Sequence, residues 1–141
     1  MNQFIVSSIR TELVKPMHCF LDALIADNPI PTSTQRVALN IRSTDEHSRF
    51  QPIEIQLERQ TAYLPWQLRF IATFDVICSE TKQKELSLYF NFAGNWFYHP
   101  ETKKCRLSHP EVQALLSSWL KAISSLLIEH TSFTINLTLI R

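Results

Sequence analysis

The stretch Phe50–Arg59, FQPIEIQLER, alternates between apolar and polar residues almost without a break. In an extended chain its apolar residues project to one side and the polar residues between them to the other. This period of two is typical of a β-strand that buries one face. The apolar row therefore predicts a core beneath the strand. The opposite row, Glu54, Gln56 and Glu58, faces water, a ligand or another protein.

Four further stretches alternate in the same way and predict strands: Val37–Arg42, Trp66–Val76, Leu86–Phe92 and Phe133–Leu139. The polar linkers between the first four strands are short enough for hairpins, so we expect an antiparallel meander. In the third stretch we expect the row that begins with Trp66 to be buried. Its other row contains Asp75 and an apolar residue, Ile71, which we expect to be exposed. Two short segments, Trp96–Tyr98 and Cys105–Leu107, are predicted to pair as a small ribbon after the fourth strand.

The segment before the first strand carries apolar residues at helical spacing and predicts a helix that ends near Asp27. Asn28 and Pro29 follow directly, and the residue before a proline disfavours the helical conformation. Pro16 lies inside the pattern. Either the helix is kinked there or it begins there with proline in its first turn.

A second helix is predicted from the capping-box spacing of Ser108 and Glu111 to about Glu129. Its expected apolar stripe consists of Val112, Leu115, Leu116, Trp119, Ile123, Leu126 and Leu127. Small residues recur at a seven-residue interval on the other side, where another helix can approach closely. This side is either a weakly polar solvent face or a contact for the N-terminal helix or a second protomer, and its candidate interface residues are Ser117, Lys121 and Ser124.

The order of these elements predicts an α+β two-layer sandwich. We expect an antiparallel sheet, made of the meander plus the C-terminal strand, with one face covered by the two helices. A chain of 141 residues is of single-domain length, so residues 1–141 are expected to form one domain.

Composition narrows the possible functions. The formal net charge of +1 gives no global bias toward nucleic acid or an anionic membrane. No apolar run is long enough for a transmembrane helix, and the N-terminal stretch has no signal-peptide pattern, so we expect a cytoplasmic protein without a membrane partner. Gly94 is the single glycine of the sequence, so glycine-rich phosphate-binding motifs, which need at least two glycines, are absent. The three cysteines are far apart and predict no disulfide framework.

Four segments read VALNIR at Val37–Arg42, FQPIEIQLER at Phe50–Arg59, WQLRFIATFDV at Trp66–Val76 and ELSLYFNF at Glu85–Phe92. In this order they resemble the bacterial domain-of-unknown-function family 2787. The resemblance implies a small cytoplasmic bacterial protein with the family's fold. Because that family has no assigned activity, the resemblance implies no catalytic residue.

The residues themselves also argue against catalysis and cofactors. His99, Cys105 and His109 are suitable zinc ligands beside a turn, but a structural site needs a fourth ligand, so we expect no metal. Glu54 and Glu58 share one face of a strand about 13 Å apart, too far for a glycosidase pair. The chain has no GxSxG motif. The sequence favours a protein without catalytic residues or cofactor, although an enzyme stays open as a third possibility.

We expect binding through the polar face of the sheet. The candidate residues are Arg42, Glu54, Gln56, Glu58, Arg69, Asp75, Tyr89 and Asn91. Mixed charges with arginine, tyrosine and asparagine suit contact with another protein, which predicts an interaction module with an unknown protein partner or as a homodimer.

Besides an enzyme, two alternatives to the interaction module remain. The first is a small-ligand pocket between sheet and helices near Trp66, Trp96 and Trp119. The second is an RNA platform that stacks bases on Tyr89. The carboxylates on the same face would repel phosphates, so the sequence disfavours nucleic acid.

Overall fold

The computed structural model describes residues 11–44, 50–78, 80–81, 83–129 and 133–140. In this part of the chain it contains two helices and seven strands. In chain order they are α1 (Thr11–Asp27), β1 (Arg36–Ser43), β2 (Ile53–Glu58), β3 (Gln67–Cys78), β4 (Gln83–Asn91), β5 (Trp96–His99), β6 (Lys103–Arg106), α2 (Pro110–Glu129) and β7 (Phe133–Ile140).

The strands form one antiparallel sheet in the spatial order β6-β5-β4-β3-β2-β1-β7. The first six strands are a continuous meander, because each pairs with the next one along the chain. The C-terminal strand returns to the other edge and pairs with β1, where Leu137 lies opposite Leu39. The predicted α+β fold is confirmed, and the sheet has two edges, β6 and β7.

The core lies between one face of the sheet and the two helices. The apolar row of the opening stretch is fully or almost fully buried, with Ile53 at 2% and Ile55 and Leu57 at 0% exposure. From the helices, Met17 and Leu116 join the same cluster, and α1 contacts α2. The helices thus cover the apolar row of the strands, as the alternation predicts.

The bounds of α1 decide between the two alternatives for Pro16. The helix is already present at Thr11 and runs through Pro16 to Asp27, so a beginning at Pro16 is wrong. The predicted end is confirmed. Asn28 terminates the helix with its side-chain amide, which donates a hydrogen bond to the carbonyl oxygen of Leu24 at 2.8 Å.

The cap of α2 differs from the predicted capping box. The Nδ1 atom of His109 accepts a hydrogen bond from the backbone N–H of Glu111 at 3.2 Å. Pro110 is the first helical residue, where its missing N–H costs nothing, and this places His109 rather than Ser108 at the N-cap.

The buried side of α2 is also rotated from the predicted stripe. Leu120 is 0% exposed and Ser124 5%, although both lie outside that stripe, whereas the predicted core residue Leu115 is 40% exposed. The buried arc is displaced because α2 packs against α1 as well as against the sheet.

A β-bulge in β3 changes which of its side chains face the core. Leu57 pairs with Leu68 and Gln56 with Phe70, so Arg69 is an extra residue on β3. The alternation is inverted beyond it, and Ile71 is 0% exposed. The prediction that Ile71 is exposed is therefore wrong. By the same inversion, the apolar residues Phe70, Ala72 and Phe74 lie on the face that the helices do not cover.

Candidate functional site

The face of the sheet opposite α1 and α2 is called here the open face. Directly opposed residues form two rows that cross it from β6 to β7. The first row is Lys104, Tyr98, Tyr89, Ala72, Glu54, Asn40 and Asn136. The second row is Arg106, Trp96, Asn91, Phe70, Gln56, Ala38 and Thr138. Both rows change from basic and aromatic residues near β6 to uncharged polar residues at β7.

The aromatic end of the open face is defined by Phe70, Phe74, Leu86, Tyr89, Trp96 and Tyr98, and three of its rings are in contact. The rings of Phe70 and Tyr89 stack with centroids 5.2 Å apart, and the centroids of Tyr89 and Trp96 are 4.8 Å apart. The ammonium group of Lys104 lies 4.6 Å from the centroid of the Trp96 ring. These rings are half-buried, so part of each remains accessible from outside.

A groove of about 640 Å³ lies beside Trp96 at this end. Its lining residues are Glu85, Leu86, Trp96, Tyr98, Pro100, Lys103 and Lys104. Its walls are mainly apolar, and two lysines and one glutamate stand among them. Such a groove can hold an apolar group while the ammonium groups attract an anionic one.

The turn between β4 and β5 holds the Trp96 ring in place. Gly94 donates its backbone N–H to the Oδ1 atom of Asn91 at 2.6 Å. A Cβ atom on Gly94 would lie 2.8 Å from both Cδ1 and Nε1 of Trp96, closer than a side chain tolerates. Glycine is therefore required by the close approach of the indole. Asn95 completes the turn in the left-handed region at φ 59°.

The middle of the open face is an ion-pair network that involves the opening stretch. Glu58 is 3.2 Å from the Nε atom of Arg36 and 3.5 Å from that of Arg69. The guanidinium of Arg69 also donates to Gln56 Oε1 at 2.8 Å. Of the polar row, Gln56 and Glu58 thus contact arginines of the same chain, which reduces their availability to a ligand.

The other predicted sheet-face residues lie in different parts of the open face. Tyr89 and Asn91 belong to the aromatic end, where the amide of Asn91 donates to the Tyr89 hydroxyl at 3.2 Å. Glu54 is half-buried in the middle, and Arg42 is exposed near β7.

Asp75 does not join this face. It lies two residues beyond the buried Thr73, which shares a face with Ile53, and it accepts a hydrogen bond from the side chain of Gln51. The inverted alternation places it on the helix-covered side.

The three candidate residues on α2 differ in accessibility. Ser124 is buried within the single chain, and its hydroxyl has no hydrogen-bond partner among the described residues. Ser117 is half-buried and Lys121 is exposed. Since α1 already contacts α2, Ser124 is not accessible to a partner.

The three tryptophans do not surround a common pocket. Trp66 is 0% exposed, and the guanidinium of Arg59 lies 4.3 Å from its ring centroid. Trp119 is on the helix side, 6.1 Å from Phe90, whereas Trp96 is on the open face. The groove beside Trp96 thus lies on the opposite side of the sheet from the predicted pocket.

Arg59 is buried and hydrogen-bonds to backbone carbonyl groups of the linker before β1. It donates hydrogen bonds to the carbonyl oxygens of Thr34 at 3.0 Å and Pro31 at 2.9 Å. Burial lowers the pKa of its guanidinium. These bonds attach the linker before β1 to the end of the sheet.

Among the described residues, no three His, Cys, Asp or Glu side chains converge on a position for a metal ion. Two of the histidines considered as ligands instead accept hydrogen bonds from nearby backbone groups. The Nδ1 atom of His99 accepts from Glu101 at 3.1 Å, and that of His109 from Glu111 at 3.2 Å. No helix within the same residues is long and apolar enough to cross a membrane.

Tyr89, Asn91 and Trp96 were candidate binding residues in the sequence, but their grouping with Phe70 and Phe74 on one face was not predicted, although two signals pointed to it. Ile71 interrupts the polar row of β3, so that strand is apolar on both sides. Trp96–Tyr98 is likewise aromatic on both rows. A strand that is apolar on both rows indicates that both of its faces contact something.

Two solved structures from Vibrio cholerae share this fold. The hypothetical protein VC0508 from the VSP-II pathogenicity island matches with a TM-score of 0.73 and 17% identity over 98% of this chain and 100% of its own. The conserved hypothetical protein VC1805 from pathogenicity island VPI-2, described as sharing structural homology with the human P32 protein, matches with a TM-score of 0.72 and 20% identity over 98% of each chain.

No curated protein sequence matches the chain. A family model described as "Protein of unknown function (DUF2787)" matches residues 15–138, which is most of the length of this chain. The expected resemblance is thereby confirmed: the chain belongs to the DUF2787 family.

Proposed function

We propose that the protein is a cytoplasmic, non-enzymatic interaction module that binds a partner protein with the aromatic end of its open face. One observation carries the proposal. Phe70, Tyr89 and Trp96 form a connected ring cluster on the face of the sheet opposite α1 and α2. Tyrosine, tryptophan and arginine are enriched among the residues that contribute most of the binding energy of protein interfaces.

The charges around the groove define the expected partner. Lys103, Lys104 and Arg106 are exposed on β6, and Glu85 and Glu101 are the nearby exposed acids. We expect a partner segment that inserts an apolar side chain beside Trp96 and presents carboxylates to these cations. The groove is open to solvent, so a segment of another protein can enter it.

A small ligand is the second candidate, because the groove volume lies within the range of about 300–1,000 Å³ for small-molecule sites. The same rings could stack RNA bases. Glu85 in the groove wall and the low net charge favour a protein over a polyanion. A small-ligand protein should co-purify with a metabolite and an RNA-binding protein with RNA. The capture experiment described next distinguishes both from a protein partner.

The experiment compares Lys104→Glu with Lys121→Glu, because both reverse an exposed lysine, one beside Trp96 and one on α2. The tagged chains are used to capture partners from the host, and each candidate protein is then purified. Its affinity for wild-type and variant chains is measured by calorimetry. We expect the dissociation constant to rise at least about tenfold for Lys104→Glu and to stay unchanged for Lys121→Glu.

Trp96→Ala is a second variant and should also weaken binding, because it removes the ring at the centre of the cluster. A partner bound equally well by all variants would contradict the proposed surface. Stoichiometric RNA or a metabolite in place of a protein would contradict the proposed partner class.

A further inference from the structure

We propose that the free edge of β7 pairs with the same edge of a second copy of this chain, so that one antiparallel sheet continues through both copies. The strand Phe133–Ile140 is eight residues long and pairs with β1 along its whole length. Its other side ends the sheet, with no described strand beside it. Backbone N–H and C=O groups on such an edge are available to another chain.

The sequence of β7 lacks the usual protection against such pairing. FTINLTLI contains no charged residue, no proline and no glycine. Sheet edges are normally protected by lysines, prolines, bulges or a short strand. In β7 the ladder with β1 is also continuous, without a bulge. The strand therefore retains the features that favour edge-to-edge pairing.

The opposite edge of the same sheet is protected in several ways. Strand β6 has four residues, KKCR, three of which are cationic. Lys103 has φ 60°, which departs from extended geometry at the beginning of the strand. Two copies that met along β6 would bring these cations together. Of the two edges in the described part of the sheet, β7 is the one suited to pairing with a second copy.

The apolar row of β7 is also incompletely covered. Leu139 is 41% exposed, whereas Val37, its partner on β1, is 0% exposed. Ile135 and Leu137 on the same row are only half-buried. A further strand beside β7 would cover this row as β7 covers that of β1.

A second copy fits this edge without any conflict of charge. A twofold axis perpendicular to the sheet runs the two β7 strands antiparallel and places one residue opposite its own copy. With Asn136 at the axis, Thr134 lies opposite Thr138 and Ile135 opposite Leu137. Threonine pairs and apolar pairs are favourable across antiparallel strands, and no like charges meet. The edge is thus complementary to itself.

This dimer is independent of the proposed partner-binding function, because β7 and the aromatic end lie at opposite ends of the sheet. The twofold axis leaves both open faces on the same side. A dimer therefore presents two aromatic ends in one direction, which increases the strength of binding to a partner with two matching segments.

The test places like charges across the axis. Asn136 and Thr138 are exposed and lie on the open face, so replacing them does not disturb the core. The variants are Asn136→Lys with Thr138→Lys, and Asn136→Asp with Thr138→Asp. An axis at Asn136 or at the adjacent Leu137 brings these charges close together. Gln67→Lys, an exposed amide on the interior strand β3, is the matched control.

Mass is measured by sedimentation equilibrium over a wide range of concentration, and folding by circular dichroism. We expect the wild type and Gln67→Lys to approach twice the single-chain mass of 16.4 kDa. Each doubly charged variant should stay folded at the single-chain mass. An equimolar mixture of the lysine and aspartate variants should regain the dimer mass, because opposite charges then meet across the axis.

Three results would overturn the proposal. One is a wild type that keeps the single-chain mass at all concentrations. Another is a dimer that survives in both charged variants, since its interface would then lie elsewhere. The third is a mixture of folded variants that does not associate.

Discussion

The two ends of this sheet offer a neighbour different chemistry. At the β6 end, the open face carries aromatic rings beside exposed cations, and the edge strand is short and basic. At the β7 end, the face carries asparagine and threonine, and the edge strand is long and uncharged. The first end is suited to recognition by side chains and the second to recognition by the backbone. One scaffold can therefore hold two kinds of contact without overlap.

The largest predicted effect distinguishes β7 from its interior neighbour. Leu39→Ala should lower the free energy of unfolding by about 2–5 kcal/mol, because Leu39 is 0% exposed. Leu137 lies directly opposite Leu39 but is only half-buried. In dilute solution, Leu137→Ala should therefore lower the free energy of unfolding by roughly half as much as Leu39→Ala. Urea unfolding measures both.

Raising the protein concentration sharpens this comparison. If a second copy pairs with β7, the loss in free energy of unfolding caused by Leu137→Ala should then increase. The loss caused by Leu39→Ala should change less. Equal costs in dilute solution would mean that β7 is already covered within one chain.

The fold was predictable from the sequence because large apolar residues recur at every second position of β1 and β2, and the two strands pair without a bulge. The period of two alone then assigns each of their residues to a face. The end of α1 followed from Asn28 and Pro29 in the same local way. These features depend on neighbouring residues, so they can be recognised without knowing which elements pack together.

The faces of β3 were not predictable in this way. The bulge at Arg69 arises from the pairing with β2, and no local pattern reveals it. Because of this bulge, Phe70 lies on the open face instead of in the predicted core. Asp75 lies on the helix-covered side instead of among the predicted sheet-face residues. For Ser124 the sequence left open a solvent face, a contact with the N-terminal helix and a contact with a second protomer, because the arrangement of α1 against α2 was unknown. The cap of α2, in contrast, could have been inferred from Pro110, since proline at the first helical position makes His109 the N-cap.

A smaller effect is expected at the aromatic end from Gly94→Ala. The added methyl group must displace the Trp96 ring, which should cost about 1–3 kcal/mol of stability and weaken partner binding. Tryptophan fluorescence and thermal unfolding measure the change. Asn95→Gly in the same turn is the control, since glycine tolerates φ 59° and adds no atom.

Association through β7 should be unaffected by Gly94→Ala, because the turn is at the other end of the sheet. A loss of the dimer in this variant would show that the two ends are not independent. An unchanged Trp96 environment would contradict the role of the glycine.

The smallest predicted effect concerns the backbone of the protected edge. Lys103→Gly should stabilise the fold by about 1 kcal/mol, because φ 60° is unfavourable for lysine and favourable for glycine. Lys104→Gly is the matched control and should be destabilising, since glycine in an ordinary strand position weakens it. Thermal unfolding distinguishes the two. A loss of stability for Lys103→Gly would contradict a relief of backbone strain at that residue.

The difference between the two edges is tested most directly by amide hydrogen exchange at low and high protein concentration. Peptides that contain β6 and β7 report on the two edges of the same molecule in one experiment. We expect exchange in β7 to slow as the protein concentration rises, while exchange in β6 stays the same. Exchange that is independent of concentration in both strands, or that slows in β6 instead, would contradict this expectation.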